Sequence, residues 1–201
     1  MSRWIRIVAP FAAAFVTVLM LALVAGADET IIHHPRQTKG KLAVREVRLK
    51  HDGMPPTWTI VTYSRWSAPE IWDRGYVMVL LDTKGGPEAE YYLLIRSTRW
   101  ALEGSLWRAH AYEPDTFLGR VPVWRTSARS VSVRVRLIRL AFGPRRRSYR
   151  WFVTTLYTSD VCRRTCIDRV PSTGSVLQWR PGMSPTPSPT PTPSPSGSPS
   201  P

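Results

Sequence analysis

Lysine is scarce in this chain, and so are the residues that usually do chemistry. Only Lys39, Lys41, Lys50 and Lys84 occur against 24 arginines, so the net charge of +14 is an arginine excess. Acids are missing altogether between Thr116 and Ser159. Histidine occurs four times: His33 and His34 near the start, His51 in a turn and His110 at a strand end. No Gly-x-Ser-x-Gly elbow, metalloprotease helix or phosphate-binding loop is present, which leaves the familiar nucleophile, zinc and nucleotide chemistries without a signature. After the first 27 residues no stretch carries apolar residues at helical spacing, which argues against a helical bundle and against an α/β fold.

What is present begins with a targeting segment. Arg3 and Arg6 open residues 1–27, and no charged residue follows until Asp28. Ala25-Gly26-Ala27 fits the small-x-small rule for signal-peptide cleavage, and export with cleavage is the preferred reading. The apolar run is also long enough to span a bilayer, so an uncleaved membrane anchor is the rival. No cysteine follows the cleavage site, which excludes a lipoprotein anchor. Residues 28–40 read as a flexible polar leader, with His33 and His34 solvated in it.

The body, residues 41–181, is organised around a hairpin. Tyr76-Val77-Met78-Val79-Leu80-Leu81 and Tyr91-Tyr92-Leu93-Leu94-Ile95 are apolar on both faces and flank a turn with Gly85, Gly86 and Pro87. Such a pair predicts two central strands covered on both sides. Further strands are expected over 42–50, 58–65, 104–111, 117–124, 149–157 and 176–179. In the run from Val131 the apolar phase flips after Leu137, which predicts one strand with a bulge at Leu137 and Ile138. Eight or nine short strands with turns between them predict an all-β chain, a single antiparallel β-sandwich of jelly-roll-like type. Roughly 140 residues suffice for one core. Residues 182–201 form a Pro/Ser/Thr-rich tail expected to be disordered, a spacer with hydroxyls open to O-glycosylation.

Cys162 and Cys166 are the only cysteines, and an even pair in an exported chain predicts a disulfide between them. A redox pair would normally be spaced by two, and a zinc site lacks further ligands. The arginine excess has one dense region, in which Arg134 and Arg136 share a strand face and Arg145, Arg146 and Arg147 occupy the next turn. This is a candidate surface for an anionic polymer. The bland alternative is a codon-biased composition, with arginine stems lying over exposed sheet. Asp82, Glu88 and Glu90 form the one close group of acids. They offer a weak pattern for a glycosidase pair or a calcium loop, and Lys84 counts against calcium. No catalytic residue, metal ligand or cofactor is therefore assigned. Eight tryptophans remain after the targeting segment. Trp66 and Trp72, in or beside a loop, are the pair expected to be exposed and able to stack on sugar rings; the bland reading is that several of the eight fill the core.

The order "VMVLLDTKGG…YYLLI", "GSLW", "SVSVRVRLIRL" and "YRWFVTTLYTSDVCRRTCIDRVP" resembles uncharacterised exported β-sandwich proteins of actinobacteria-type bacteria. Those proteins are loosely similar to carbohydrate-binding and DOMON-type sandwiches, and the likeness covers about residues 42–171. It implies a fold and a location and brings no activity. The function expected is therefore a non-catalytic binding module, secreted or at the cell surface, for cell-wall glycan or anionic polymer, with no specific nucleic-acid partner. The alternatives are a secreted enzyme with an unrecognised site and a purely structural envelope protein.

Overall fold

Alternating apolar and polar residues build the strands, and turn residues end them. The computed structural model describes residues 28–51, 55–86, 88–136, 140, 148–162, 165–172 and 176–179. Within them lie β1 (Asp28–His33), β2 (Val44–His51), β3 (Thr57–Thr62), α1 (Ala68–Ile71), β4 (Gly75–Asp82), β5 (Tyr91–Ser97) and β6 (Leu102–Arg108). There follow β7 (Thr116–Val121), β8 (Val123–Ser127), β9 (Ser130–Arg134), β10 (Tyr149–Tyr157), β11 (Cys166–Val170) and β12 (Leu177–Trp179).

Two antiparallel sheets result. One has five strands in the order β1-β2-β3-β9-β8, and the other has seven, ordered β11-β10-β4-β5-β6-β7, with β12 also paired to β10. β11 and β12 share one edge of β10, the first against Val153 to Tyr157 and the second against Tyr149 to Trp151. The inner faces of both sheets meet in one apolar core. Val47, Leu49, Trp58, Ile60, Val131 and Val133 come from the five-stranded sheet, and Val77, Val79, Leu81, Leu93, Ile95, Leu106, Trp151 and Val153 from the other. Trp58 crosses between the sheets, edge-on to Trp151 at 6.4 Å between centroids. Burying one such aromatic side chain contributes on the order of 2–3 kcal/mol.

The count of twelve strands among the described residues exceeds the eight or nine expected, for three local reasons. Residues 28–40, expected as an irregular leader, begin with β1, whose Thr30 and Ile32 pair with Leu49 and Val47 of β2. The polar composition concealed a strand only six residues long. β11 follows the cysteine pair and was not foreseen. The single strand expected over 117–124 is two, because Pro122 has no N–H to continue a ladder. The chain leaves the seven-stranded sheet after β7 and joins the five-stranded sheet as β8. Gly104 lies under this crossing: a Cβ there would sit 2.3 Å from Val123 Cγ2 and 2.8 Å from the Val121 carbonyl. The strand beginning at Val131 ends as β9 at Arg134, and the expected bulge at Leu137 and Ile138 lies outside the described residues. The targeting segment and the Pro-rich tail also lie outside them.

The hairpin strands β4 and β5 are central in their sheet, with β10 and β6 beside them. Only their inner face is buried, however. Tyr76, Met78, Leu80, Tyr92 and Leu94, which the sequence reading placed under a second covering layer, are half-buried.

Two further features tie the ends of the sheets together. Cys162 and Cys166 form the expected disulfide, with Cα atoms 5.2 Å apart. It packs against Gly40, where a Cβ would meet Cys166 Cβ at 2.9 Å. Asp168 of β11 is buried and accepts hydrogen bonds from the Val44 backbone N–H at 2.7 Å and from His34 Nε2 at 3.0 Å. His34 is thus a buried partner, not a solvated leader residue. Its carbonyl accepts from the Tyr63 hydroxyl at 2.7 Å.

Candidate binding face

The outer face of the seven-stranded sheet follows from strand periodicity. Side chains two apart on each strand point the same way, and the registers line them up across strands. Phe152, Leu80, Tyr92, Trp107 and Phe117 are successive cross-strand neighbours on β10, β4, β5, β6 and β7. Five strands at the usual spacing make this row roughly 19 Å long. A second row runs Arg169, Thr154, Met78, Leu94, Ser105 and Arg120, and a third runs Ile167, Leu156, Tyr76, Arg96 and Glu103.

The rings of the first row are held in place. Tyr92 and Trp107 lie with planes parallel to within 4° at 6.2 Å between centroids, and Phe117 meets Trp107 edge-on at 5.2 Å. The Tyr92 hydroxyl donates to Asp115 Oδ2 at 2.8 Å, and Trp107 Nε1 donates to Ser105 Oγ at 2.8 Å. Partial burial, and then the Asp115 carboxylate, push the Tyr92 phenol up to about 12, so it stays a neutral donor over the ordinary pH range. Phe117 is 52% exposed, and the rest of the row is half-buried.

Two concavities open on this face. One, of about 490 Å³, is bounded by Leu80, Phe152, Arg150, Arg169, Glu88 and Val176. The other, of about 470 Å³, lies at the opposite end of the strands and is lined by Tyr76, Leu94, Arg96, Leu156, Trp72 and Arg74 among others. Both volumes fall in the usual range for small-ligand sites. Asp73 and Arg99 beside the second adopt left-handed backbone, at φ 55° and 77°. The Arg99 guanidinium lies over Trp72 at 5.4 Å and over Trp100 at 5.0 Å.

The residues singled out from sequence fall in different places. Trp72 is 41% exposed, as expected of it. Trp66, expected exposed beside it, is 3% exposed and belongs to the core. Its Nε1 donates to Thr62 Oγ1 at 3.1 Å, and Arg125 caps its ring at 3.9 Å. The loop position misled the reading because the chain folds back over the indole. Burial lowers the Arg125 pKa.

Arg134 lies on the other side of the molecule, on the outer face of the five-stranded sheet, while Arg136, expected on the same strand face, lies past the end of β9. Arg134 donates from Nε to Thr57 Oγ1 at 3.0 Å and lies over Trp124 at 5.3 Å, while Arg136 is exposed. Arg145, Arg146 and Arg147 lie outside the described residues.

The acids of the hairpin turn are occupied by the turn itself. Asp82 Oδ1 accepts from the N–H groups of Lys84 at 3.0 Å and Gly85 at 2.5 Å, and Oδ2 pairs with Arg150. Glu90 Oε2 accepts from the Thr83 N–H at 2.7 Å. Of the three acids considered for a glycosidase or calcium site, Glu88 alone lines a concavity without such a bond among the described residues. No cluster of three or more metal-ligating side chains occurs among the described residues, nor any helix long and apolar enough to cross a membrane.

Sequence reasoning missed Tyr92, Trp107, Phe117, Phe152 and Arg169 as a site. The available signal was the apolar second face of β4 and β5, assigned to a covering layer. Compared with family models, curated proteins and solved structures, the chain finds no match.

Proposed function

We propose that this chain is an exported, non-catalytic β-sandwich of jelly-roll-like type that binds glycan, at the cell surface or outside the cell. The row Phe152, Leu80, Tyr92, Trp107 and Phe117 carries the reading. Its parallel rings are fixed by Asp115 and Ser105 before any ligand arrives, and fixed partners lower the ordering cost of binding. Sugar rings present C–H-rich faces that stack on such a surface, and polar groups at its edges take the hydroxyls. Trp72, Arg74 and Arg96 extend the face at its far end. The non-catalytic reading is supported by the turn acids Asp82 and Glu90, which spend their oxygens on backbone N–H groups and Arg150. Export rests on residues 1–27.

The test is calorimetric titration of the exported protein with cell-wall and other oligosaccharides. Trp107→Ala should weaken the best ligand by about tenfold, one stacked ring's contribution. Trp66→Ala is no substitute control, because it would damage the core. Unchanged affinity in Trp107→Ala would sink the face assignment.

A second reading, binding of an anionic polymer, rests on Arg134 of the opposite face and the exposed Arg136, together with the run of arginines at 145–147 in the sequence. It predicts a steep salt dependence that Arg145, Arg146 and Arg147 to Ser reduces. Equal losses from a control triple at Arg36, Arg45 and Arg180 would reduce that surface to bulk charge.

A further inference from the structure

The first concavity contains one arginine whose bonding is incomplete. Arg169 of β11 stands next to Thr154 in register and lays its guanidinium over the Phe152 ring, 3.9 Å from the centroid. Its Nε is buried and has no hydrogen-bond partner among the described residues. No carboxylate among the described residues pairs with its side chain. Arg150, the other arginine there, is committed to Asp82 and to the Gly86 carbonyl. A buried guanidinium N–H without an acceptor is costly, and the stacking on Phe152 fixes the fork in one plane.

We propose that Arg169 is a specificity residue of the binding face and that the ligand is an acidic glycan, bearing a carboxylate or sulfate at the unit that occupies this concavity. The inference rests on the glycan reading of the same face. Phe152 begins the aromatic row, so a chain stacked on Leu80, Tyr92 and Trp107 brings one end over Arg169. A carboxylate or sulfate there accepts from the two Nη groups, the edge of the planar fork left open beside the covered Nε. A neutral hydroxyl can accept too, but charge-assisted bonds are roughly twice as strong. The preference for an acidic over a neutral chain of equal length should be roughly tenfold. Glu88 lines the same concavity and works against an anion, so its removal should strengthen acidic ligands and leave neutral ones alone.

The experiment titrates the exported full chain with three oligosaccharides of equal length, one neutral, one of uronic acid and one sulfated, with inorganic sulfate as a fourth ligand. The wild type should bind one or both acidic chains roughly tenfold tighter than the neutral chain, and which of them binds identifies the acidic group. Arg169→Gln should abolish that preference while keeping the neutral affinity. Arg169→Lys, which keeps the charge without the fork, should retain only part of it. Glu88→Gln should increase it, and serves as the second readout if Arg169→Gln does not fold. Equal binding of neutral and acidic chains, with Trp107→Ala weakening both, would overturn the Arg169 proposal and leave the glycan face standing. An unchanged preference in Arg169→Gln would overturn it too, as would inorganic sulfate binding as tightly as the sulfated chain. No binding of any oligosaccharide would overturn both readings.

Discussion

Asp168→Ala should be among the most damaging single substitutions outside the apolar core. The carboxylate is buried and holds two groups that are buried themselves, the N–H of Val44 at 2.7 Å and Nε2 of His34 at 3.0 Å. A carboxylate only accepts, so His34 Nε2 carries a proton toward it. Each donor stranded without an acceptor costs about 1–3 kcal/mol. Two stranded donors cost about 2–6 kcal/mol, and removing a buried charge recovers part of it, so a loss of about 2–5 kcal/mol is expected. That is a large fraction of the stability of a domain this size.

The assay is urea unfolding of the oxidised protein at pH 7, with the midpoint shifted and the slope unchanged. Asp168→Asn keeps the shape and one acceptor, and should lose about half as much. Pairing Asp168→Ala with His34→Ala in a double-mutant cycle should give a coupling of about 0.5–3 kcal/mol. A loss below about 1 kcal/mol for Asp168→Ala would refute the reasoning, because two buried donors cannot be stranded so cheaply. Additive single losses would mean that His34 and Asp168 are neighbours without an interaction.

Gly104→Ala should destabilise by about 1–3 kcal/mol, the usual range for overpacking, because the new methyl meets Val123 and the Val121 backbone at the sheet crossing. A thermal midpoint equal to wild type would show that the crossing is looser than described. Trp66→Ala should cost about 3–5 kcal/mol in the same unfolding assay, and Trp72→Ala within about 0.5 kcal/mol of nothing. Similar losses would contradict their different burial. Tyr92 should ionise at about 12, later than an ordinary phenol. The stability it contributes is then complete below the ordinary phenol value near ~10 and is lost as pH rises through the folded value. The absorbance titration of wild type minus Tyr92→Phe isolates this phenol, and a transition at the ordinary value would contradict its bond to Asp115.

The strands were legible where alternation was long, as in β10, whose nine residues alternate buried and half-buried without a break. The disulfide was legible because an even pair of cysteines behind an export-type segment has few other uses. β1 was not, since Ile31 and Ile32 are the whole of its apolar signal. The split at Pro122 was readable in principle from the missing N–H, but the direction of the crossing depends on Gly104, 18 positions earlier in the chain. His34 and Asp168 stand 134 residues apart, and nothing local in either segment names the other. Trp66 and Trp72 show the same limit in reverse. Both sit close to loops, and only the three-dimensional path of Arg125 decides which of the two indoles is covered.

The hairpin gives the most useful difference between sequence and structure. An apolar residue at every position from Tyr76 to Leu81 means either a strand buried on both sides or a strand with one face built to meet something else. Hydrophobicity does not separate these, because both cases call for the same side chains. Neighbours do separate them. On a face buried inside the molecule a second layer covers these side chains completely, whereas Phe117 is 52% exposed and Leu80, Tyr92, Trp107 and Phe152 are half-buried. On this face Tyr92 and Trp107 are tethered by Asp115 and Ser105, and Arg169 is laid flat on Phe152 with an unsatisfied Nε. Such tethers fix ring orientation at the surface, where packing alone would leave it loose. The half-exposed second face of the hairpin is the observation that supports the proposed binding surface over surplus core.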